Sequence, residues 1–279
     1  MKKRLAVIGH PISHSLSPLM HNNEFHELGL DYEYEAIDVV ESELELVINS
    51  FRSLDFSGFN VTIPYKEKVI PLLDEIDEEA AAIGAVNTVV NRNGKLIGYN
   101  TDGQGYMSAL ENISPTWKKK KILIIGAGGA ARAIYISLLR HSAAMIDLTN
   151  RSVQKAENLK TDAKVSNSNV LSISEAEEQL GNYQIIINTT SVGMKHTSGV
   201  PLQLTNLNKE AVVSDIIYTP MKTTWLQNAE QKGAKIMNGI TMFVNQGALA
   251  FKYWTGISPN QERMNQVVIN NLKERNNQC

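Results

Sequence analysis

The sequence predicts an α/β protein of two domains, each built on an open sheet. At 279 residues the chain has room for two domains, since one domain commonly takes roughly 100 to 200 residues. Two short apolar runs, Leu5 to Ile8 and Ile122 to Ile125, each lead into a glycine-containing turn and then a helical pattern. A strand, a loop and a helix in that order are typical of α/β folds. We therefore expect each run to belong to its own domain.

The first hundred residues are predicted to form the first domain. After the strand at Leu5 to Ile8, short runs of strand-forming residues alternate with helical periodicity. The predicted strands are Tyr34 to Val39, Gly58 to Ile63 and Val86 to Val90, and the predicted helices are Glu41 to Ser53 and Lys66 to Leu73. Ser114-Pro115 and the run Trp117 to Lys121 then indicate a linker into a buried strand.

The second domain is predicted to continue with strands at Met145 to Thr149, Gln184 to Asn188 and Val212 to Ile217. From Met242 onward the pattern becomes helical, and Pro259 separates two helical segments. The periodicity alone leaves open which domain these last helices pack against.

Composition and charge exclude several classes of protein. Hydrophobic residues make up 43% and charged residues 20%, which is the balance of a soluble globular chain. The 27 basic and 29 acidic residues give a net charge of −2, so no basic field attracts a polyanion and nucleic acid is not an expected partner. The lysines at 118–121 form either a phosphate patch or a solvated run, and the near-neutral total favours the solvated run.

No disulfide, metal site or membrane span is expected. Cys279 is the one cysteine, which excludes an intramolecular disulfide and suits a reducing cytosol. His10 and His14 are separated by Pro11, with no third ligand in view. The run Leu5 to Ile8 is too short for a signal peptide, and no stretch approaches the roughly 20 apolar residues of a membrane helix. We expect a soluble, cytoplasmic protein.

A glycine-rich turn follows the strand at Ile122 to Ile125. Its sequence, Gly126-Ala127-Gly128-Gly129-Ala130-Ala131, fits the pattern G-x-G-x-x-A between a strand and a helix. There the glycines let the backbone approach a pyrophosphate, which the N–H groups and the positive dipole end of the helix hold. The motif predicts a Rossmann-like, doubly wound domain that binds a dinucleotide, although such turns also serve strand–helix packing without a ligand.

The residues after the next strand bear on the choice between NAD and NADP. An acidic side chain about 20 residues beyond the motif binds the ribose 2′-hydroxyl, whereas an arginine accommodates a 2′-phosphate. Asp147 lies 21 residues after Gly126 but is expected inside the strand, whereas Asn150-Arg151-Ser152 follows the strand and Lys155 is nearby. A guanidinium with neighbouring donors matches a phosphate dianion. We expect NADP, the alternative being that Arg151 is a solvated loop residue.

Uncharged polar residues are concentrated at the turns of the first domain. They are Ser13, Ser15 and Ser17 around His14, then Thr62, Asn87, Thr88 and the run Asn100-Thr101-Asp102. Ligands of open α/β sheets bind at the ends of strands, so these residues are candidates for substrate binding. Any one of them alone is explained equally by helix capping or turn formation.

Taken in order, these motifs resemble the shikimate dehydrogenase family. The resemblance rests on Gly9 to Pro18, Asn60 to Lys66, Gly84 to Thr88 and Asn100 to Gly103, and continues through Gly126 to Ala131, Asn150 to Ser152, Asn238-Gly239 and Gln246-Gly247. It spans nearly the whole chain. One departure is Thr241 before Met242, where the family often has glycine.

The resemblance implies an enzyme that reversibly reduces 3-dehydroshikimate to shikimate with NADP, in the biosynthesis of chorismate and the aromatic amino acids. Lys66 and Asp102 would be the catalytic pair that contacts the interconverted oxygen. Negative charge builds on that oxygen as hydride reaches the carbon, so a positioned proton donor accelerates the reaction by roughly 10²- to 10⁴-fold. The alternative is a surface lysine at the start of a helix.

The resemblance also assigns ligand-binding residues. Ser15 and Ser17 would bind the substrate carboxylate. The residues that would contact its hydroxyls or ring are Thr62, Asn87, Tyr218 and Gln246. Those on the nicotinamide side of the cofactor would be Ile216 and Gly239, with Glu78 a weaker cofactor-side candidate.

Finally, the resemblance implies that the C-terminal helices return to the first domain. The substrate domain would comprise residues 1–102 with 238–279, and the NADP domain residues 103–237. Two alternatives are a quinate/shikimate dehydrogenase that uses NAD, against which Arg151 argues, and a regulator that has lost catalysis, against which Lys66 and Asp102 argue. The sequence leaves open whether the protein is a monomer or a homodimer.

Overall fold

The computed structural model describes residues 2–164, 167–194, 197 and 199–277, without the side chains of residues 276 and 277. Cys279, and His196 to which no role is assigned, lie outside these residues. The chain divides into two compact units, a first unit of Met1–Gly105 with Val244–Cys279 and a second unit of Tyr106–Phe243.

Strands and α-helices alternate along most of the chain. The strands are β1 (Lys3–Gly9), β2 (Tyr32–Asp38), β3 (Gly58–Val61), β4 (Glu75–Ile76), β5 (Thr88–Arg92), β6 (Lys95–Tyr99), β7 (Lys121–Ile125), β8 (Met145–Thr149), β9 (Val170–Leu171), β10 (Ile185–Asn188), β11 (Val212–Asp215) and β12 (Lys235–Met237). The α-helices are α1 (Ser17–Glu27), α2 (Leu44–Ser53), α3 (Glu78–Ile83), α4 (Asp102–Ile113), α5 (Gly129–Arg140), α6 (Val153–Asp162), α7 (Ile173–Glu178), α8 (Thr224–Gln231), α9 (Ile240–Thr255) and α10 (Gln261–Asn277).

The sheet of the first unit is mixed, in the order β2-β1-β3-β5-β6-β4. β1 pairs in parallel with β2 and β3, whereas β5 pairs antiparallel with both β3 and β6. β3 and β6 therefore end at the same edge of the sheet at which β5 begins. That edge collects three chain segments, and each of them carries polar residues predicted to bind a ligand.

The sheet of the second unit is entirely parallel, in the order β12-β11-β10-β7-β8-β9. Its central strands are continuous apolar runs, such as Ile122–Ile125, and are buried, as strands covered on both faces by helices must be. The strand order reverses between β7 and β10, and ligands of doubly wound sheets bind outside the carboxyl ends of strands at such a reversal.

The two sheets confirm the predicted fold class, two α/β domains of which the second is Rossmann-like, with C-terminal helices in the first. The predicted strands differ from the observed ones by a few residues at their ends. Within the described ranges, no helix has the length and apolar character needed to cross a bilayer.

The helix predicted at Lys66 to Leu73 is wrong. Residues 66–69 form turns, and only Ile70–Leu72 is helical, as a short 3-10 helix with a proline at its start. Pro71 lacks an N–H and disfavours α conformation in the residue before it. Lys66 consequently lies on an irregular turn rather than on a helix.

The two units differ slightly from the expected domain ranges. Residues 103–105, in the first turn of α4, group with the first unit, and residues 238–243 group with the second. In the second unit the N–H of Gly239 donates to the carbonyl of Ile217 at 3.0 Å, and this contact holds that segment against the loop that follows β11.

An ion pair with a buried carboxylate joins α10 to α1. Glu24 is fully buried and accepts hydrogen bonds from Arg263 Nε at 2.8 Å, from Arg263 Nη2 at 2.9 Å and from the N–H of Asn260 at 2.7 Å. α9 is joined to the sheet by Trp254, whose indole N–H donates to the Val89 carbonyl at 2.9 Å. These contacts keep the C-terminal helices in the first unit.

Arg263→Ala is expected to lower the melting temperature by roughly 5 °C or more, because it leaves the Glu24 carboxylate buried without its cation. The control is Lys95→Ala, which removes the cation from a half-exposed pair with Glu75 and should lower it by less than about 2 °C. Circular dichroism melting curves measure both. Equal losses in the two variants would show that Glu24 does not depend on Arg263.

Candidate active site

Lys66 and Asp102 form an ion pair at the polar edge of the first sheet. Nζ of Lys66 lies 2.6 Å from Oδ2 of Asp102, and the two side chains are 16% and 8% exposed. The pair is thus largely shielded from water, so the two charges attract each other more strongly than they would in bulk solvent. A ligand is still able to reach it. The structure brings together the two residues that the sequence predicts as a catalytic pair.

The amide of Asn87 fixes the carboxylate of Asp102. Nδ2 of Asn87 donates to Asp102 Oδ1 at 2.8 Å and to Thr101 Oγ1 at 2.9 Å. The backbone N–H of Thr101 donates to Asn87 Oδ1 at 2.8 Å, which determines which end of the amide faces the carboxylate. Both oxygens of Asp102 therefore have a donor, as a buried carboxylate requires.

The topology of the first sheet explains why these residues meet. Lys66 follows β3, Asn87 directly precedes β5, and Asp102 follows β6 and begins α4, so all three lie at the same edge. The N–H of Val86 donates to the carbonyl of Lys66 at 2.8 Å, which ties the lysine-bearing turn to the segment before β5. A carboxylate in the first turn of α4 is also favoured by the helix dipole.

Asn100 also holds the start of α4 in place. Its Oδ1 accepts from the N–H of Asp102 at 3.0 Å, and its Nδ2 donates to the carbonyl of Ala85 at 2.9 Å. It therefore acts as a turn residue that positions Asp102, which is the structural role left open for it by the sequence.

Ser15 and Ser17 lie at the amino end of α1. The N–H of Ser17 donates to Ser15 Oγ at 3.3 Å, and Pro18 follows in the first turn. Leu16, at the N-cap position, makes no side-chain cap hydrogen bond. The positive dipole end of the helix therefore favours an anion beside the two serine hydroxyls.

Thr62 and Gln246 are placed around the same part of the first unit. Thr62 directly follows β3, and its N–H donates to the Ile8 carbonyl at 2.9 Å. Gln246 lies on α9 against Gly105, one helical turn beyond Asp102 in α4. A Cβ at Gly105 would come within 2.8 Å of the Gln246 backbone nitrogen, so this close approach of two helices requires glycine.

The glycine loop of the second unit has the shape that a pyrophosphate requires. Gly126 directly follows β7 with φ of 122°, in a conformation and space that a side chain would not fit. Around Gly128 the space is open, since an added Cβ would meet no atom within 4 Å. α5 begins at Gly129 with no side-chain cap among the described residues, so its first N–H groups, including that of Ala130, are available to phosphate. Together with Ala127, these residues fit the dinucleotide that the sequence predicts.

The loop after β8 carries the residues predicted to select NADP. Asn150 directly follows the strand, and its Nδ2 donates to the carbonyl of Ser152 at 2.9 Å. Arg151, Ser152 and Lys155 are exposed, with Lys155 in the first turn of α6. The two cations are therefore accessible to a phosphate at the carboxyl end of the sheet.

Asp147, the alternative ribose ligand, is engaged within the sheet. It lies inside β8, is buried, and accepts from the Tyr183 hydroxyl at 2.8 Å and from the N–H of Asn169 at 2.9 Å. Nζ of Lys121 lies 3.1 Å from Asp147 Oδ2, the oxygen that also accepts from Tyr183. This placement agrees with the interpretation that Asp147 belongs to the strand and not to the ligand-binding loop.

Asn188 and Asp215 form a buried pair that sequence reasoning missed. They end β10 and β11, and Asn188 Nδ2 donates to Asp215 Oδ1 at 3.1 Å. Asp215 also accepts from the N–H of Ile217 at 3.1 Å and from Thr223 Oγ1 at 2.9 Å. Burial raises the pKa of Asp215 to about 6, and these three donors oppose the rise. The signal in the sequence that could have identified this pair was a polar residue at the end of each of two apolar strands.

The Asp215 contacts shape the loop that contains Ile216 and Tyr218. Gly239 lies directly against the Ile216 carbonyl, and the rings of Tyr218 and Phe243 are 4.9 Å apart. The structure thus brings Ile216 and Gly239, both predicted to contact the nicotinamide side of a cofactor, into contact with each other.

Glu78 and three histidines that the sequence offers lie in the first unit. Nδ1 of His10 lies 2.9 Å from Asp38 Oδ1, and His14 is exposed. Glu78 lies in the first turn of α3 in the first unit. His21 is fully buried, and burial lowers its pKa to about 3.

Three family descriptions match the chain in succession. The shikimate dehydrogenase substrate binding domain matches residues 7–89, shikimate / quinate 5-dehydrogenase matches residues 108–216, and the shikimate 5'-dehydrogenase C-terminal domain matches residues 239–269. The three together span both units.

Relatives match over nearly their full length. A shikimate dehydrogenase (NADP(+)) from Geobacillus sp. (strain WCH70) is 52% identical over 276 residues, which are 98% of this chain and 100% of the relative. A shikimate dehydrogenase solved with NADP+ has a TM-score of 0.92 at 41% identity, covering 97% of this chain and 96% of that one. The enzyme from Thermus thermophilus, solved with NADP(H) and shikimate, has a TM-score of 0.87 at 36% identity, covering 96% and 99%. These matches confirm the family predicted from the motifs: the chain belongs to the shikimate dehydrogenase family.

Proposed function

We propose that this protein catalyses the NADP-dependent interconversion of 3-dehydroshikimate and shikimate, in the biosynthesis of chorismate and the aromatic amino acids. The observation that carries the proposal is the Lys66–Asp102 pair, 2.6 Å apart, at a sheet edge surrounded by hydroxyl and amide groups. Membership of the family supports the reaction type, since a relative of 52% identity is named for it.

Lys66 is assigned the proton transfer. NADPH, when bound, supplies the hydride. As the ketone carbon gains that hydride, the ketone oxygen takes a proton from Lys66 Nζ, so that the C=O double bond becomes C–O–H. In the reverse direction Nζ takes the hydroxyl proton back. Asp102 holds Nζ in position and compensates its charge during both steps.

The substrate carboxylate is assigned to Ser15 and Ser17. Two hydroxyls at the amino end of α1 provide neutral donors, and the helix dipole is positive there, which suits one negative group. The residues assigned to the substrate hydroxyls or ring are Thr62, Asn87, Tyr218 and Gln246. Asn87 has a double role in this assignment, because its amide also holds Asp102.

NADP is assigned to the second unit. Gly126 to Ala130 and the start of α5 would hold the pyrophosphate, and Arg151 would pair with the 2′-phosphate. The other residues assigned to the cofactor are Asn150, Ser152, Lys155, Ile216 and Gly239. The engagement of Asp147 within β8 supports NADP over NAD, since it leaves Arg151 as the charged residue at the loop.

The substrate domain in this proposal is residues 1–102 with 238–279, and the NADP domain is residues 103–237. A cytoplasmic location is proposed with it, since the single cysteine in the sequence suits a reducing compartment. Each chain carries both sets of candidate residues, so a monomer or a homodimer would be functional.

Two other functions are less well supported. A quinate dehydrogenase that uses NAD would be favoured by an acidic residue at the position of Arg151. A regulator without catalysis would gain nothing from the desolvated Lys66–Asp102 pair. Removing the two charges from water costs free energy, which compensating hydrogen bonds must offset.

An absorbance assay at the nicotinamide band tests the proposal directly. Shikimate and quinate are each offered with NADP and with NAD, in all four combinations. Turnover should be highest with shikimate and NADP. Preference for quinate with NAD would support the first alternative, and no turnover in any combination would support the second.

Lys66→Ala should fold and bind NADP nearly as the parent does, but its kcat should fall by roughly 10²-fold or more, because the positioned proton donor is lost. Lys68→Ala is the matched control, since Lys68 lies on the same turn and pairs with Glu41 in a half-exposed contact. Steady-state kinetics and cofactor titration measure the two effects. A kcat within about threefold of the parent would exclude Lys66 as the acid–base group.

Ser15→Ala and Ser17→Ala should each raise the KM for shikimate by roughly tenfold or more and change kcat little, because an anchored carboxylate is bound about equally in the ground and transition states. Ser13→Ala, at an exposed position of the same segment, is the control and should behave as the parent. A selective loss of NADP affinity in either variant would contradict the assignment.

Arg151→Ala should weaken NADP binding and leave NAD binding almost unchanged, since only NADP carries the 2′-phosphate. A charge-assisted contact of this kind corresponds to a loss of about 10- to 100-fold in the preference for NADP. Added salt should reproduce part of the loss at this exposed site. Arg140→Ala, at the opposite end of α5 from the glycine loop, is the control. If NADP and NAD affinities fall together, Arg151 has a structural role.

A further inference from the structure

We propose that Tyr34 is a positioning residue whose hydroxyl, through a buried chain of hydrogen bonds, fixes the amide of Asn87 and thereby the carboxylate of Asp102. The inference rests on the proposed function and adds a residue that the proposed function does not assign. Tyr34 lies within β2, two strands away from β3 in the sheet order. Its hydroxyl donates to Asn60 Oδ1 at 2.6 Å.

Asn60 extends this contact to the neighbouring strand. Its Nδ2 donates to the carbonyl of Asn87 at 2.9 Å and to Thr88 Oγ1 at 3.0 Å. Thr88 Oγ1 donates to Asn87 Oδ1 at 3.0 Å, and Asn87 Nδ2 donates to Asp102 Oδ1 at 2.8 Å. An uninterrupted series of hydrogen bonds therefore runs from Tyr34 to the catalytic pair.

The donors along the series all point the same way. Tyr34 has a single O–H, which is directed at Asn60 Oδ1. The Asn60 amide must then present its oxygen to Tyr34 and its NH2 group to Asn87. A reversed amide would set its oxygen against the Asn87 carbonyl. Tyr34 thus stabilises the one amide orientation that supports Asn87 and Thr88.

Because these contacts are buried, losing any one of them costs more free energy than it would at the surface. Tyr34 is 2% exposed, Asn87 3% and Thr88 0%, so water does not replace a lost partner, and aligned hydrogen bonds polarise one another. Burial also raises the pKa of Tyr34 well above its ordinary value, which keeps the O–H available as a donor. The ring is fixed by stacking on His21, with centroids 4.6 Å apart.

Substitutions of Tyr34 and Ser17 are expected to have different consequences. Ser17→Ala removes a hydroxyl assigned to the substrate carboxylate, while Tyr34 still donates to Asn60 and the catalytic end stays intact. Tyr34→Phe removes the donor to Asn60 itself. The serine variant should therefore change KM, and the tyrosine variant should change kcat.

Tyr34→Phe is expected to lower kcat with shikimate about 5- to 30-fold. The loss should stay below that of Lys66→Ala, because the Thr101 N–H also holds Asn87. Tyr135→Phe is the matched control. It removes another buried tyrosine hydroxyl, which donates to Ser168 Oγ at 2.8 Å, and should leave kcat within about twofold at a similar loss of melting temperature.

A double-mutant cycle tests whether Tyr34 affects kcat through Thr88. Thr88→Val breaks a later link at nearly constant volume. If Tyr34 acts through Thr88, the double variant should have a kcat close to that of the slower single variant. Multiplied effects of the two substitutions would overturn the proposed route.

Proton exchange of the Asn87 side-chain NH2 group tests positioning independently of activity. In protein labelled with ¹⁵N-asparagine, Tyr34→Phe should speed this exchange by about tenfold, and Tyr135→Phe should leave it unchanged. An unchanged rate in Tyr34→Phe, or a kcat equal to that of the parent, would overturn the proposal. If the parent itself does not oxidise shikimate, the proposed function fails, and the exchange rate still decides the role of Tyr34.

Discussion

The side-chain amide of Asn87 is the contact on which the candidate active site depends. It accepts from the N–H of Thr101 and donates to Asp102, and so joins the start of β5 to the first turn of α4. A carboxylate this far from water is tolerated when both oxygens have donors, and Asn87 and Lys66 supply one each. Rate acceleration by a positioned group depends on its placement to within about 1 Å. The anchoring of Asp102 is therefore what makes Lys66 a usable proton donor.

The second unit contains a comparable buried amide–carboxylate contact at the ends of its strands. Asn188 and Asp215 end neighbouring strands, and their buried hydrogen bonds shape the loop beyond β11. In both units apolar strands provide a rigid frame, and an amide–carboxylate contact at the strand ends orients the segments that would meet a ligand. Rigid strands with polar ends place reactive groups more accurately than loops alone are able to.

Much of this architecture could be predicted from the sequence because its signals are local. Apolar runs and the glycine motif at Gly126 gave the fold class, and ordered motifs gave the family. The helix expected after Lys66 was wrong because Pro71 prevents it, and the hairpin between β5 and β6 was missed although Asn93-Gly94, both with positive φ, is a typical turn for it. Tyr34 could not be predicted as part of the site, because an aromatic residue inside a strand indicates only core packing and its partner Asn60 lies 26 residues away.

The most direct measurement is a crystal structure of the protein with shikimate and NADP. Proton transfer by Lys66 requires the hydroxyl that is oxidised to lie within hydrogen-bond distance of Lys66 Nζ, about 2.6 to 3.2 Å, with Asp102 still bonded to Asn87. A substrate bound with that hydroxyl beyond the reach of both Lys66 and any bridging water, or with its carboxylate in place of the hydroxyl, would contradict the assignment of the catalytic pair.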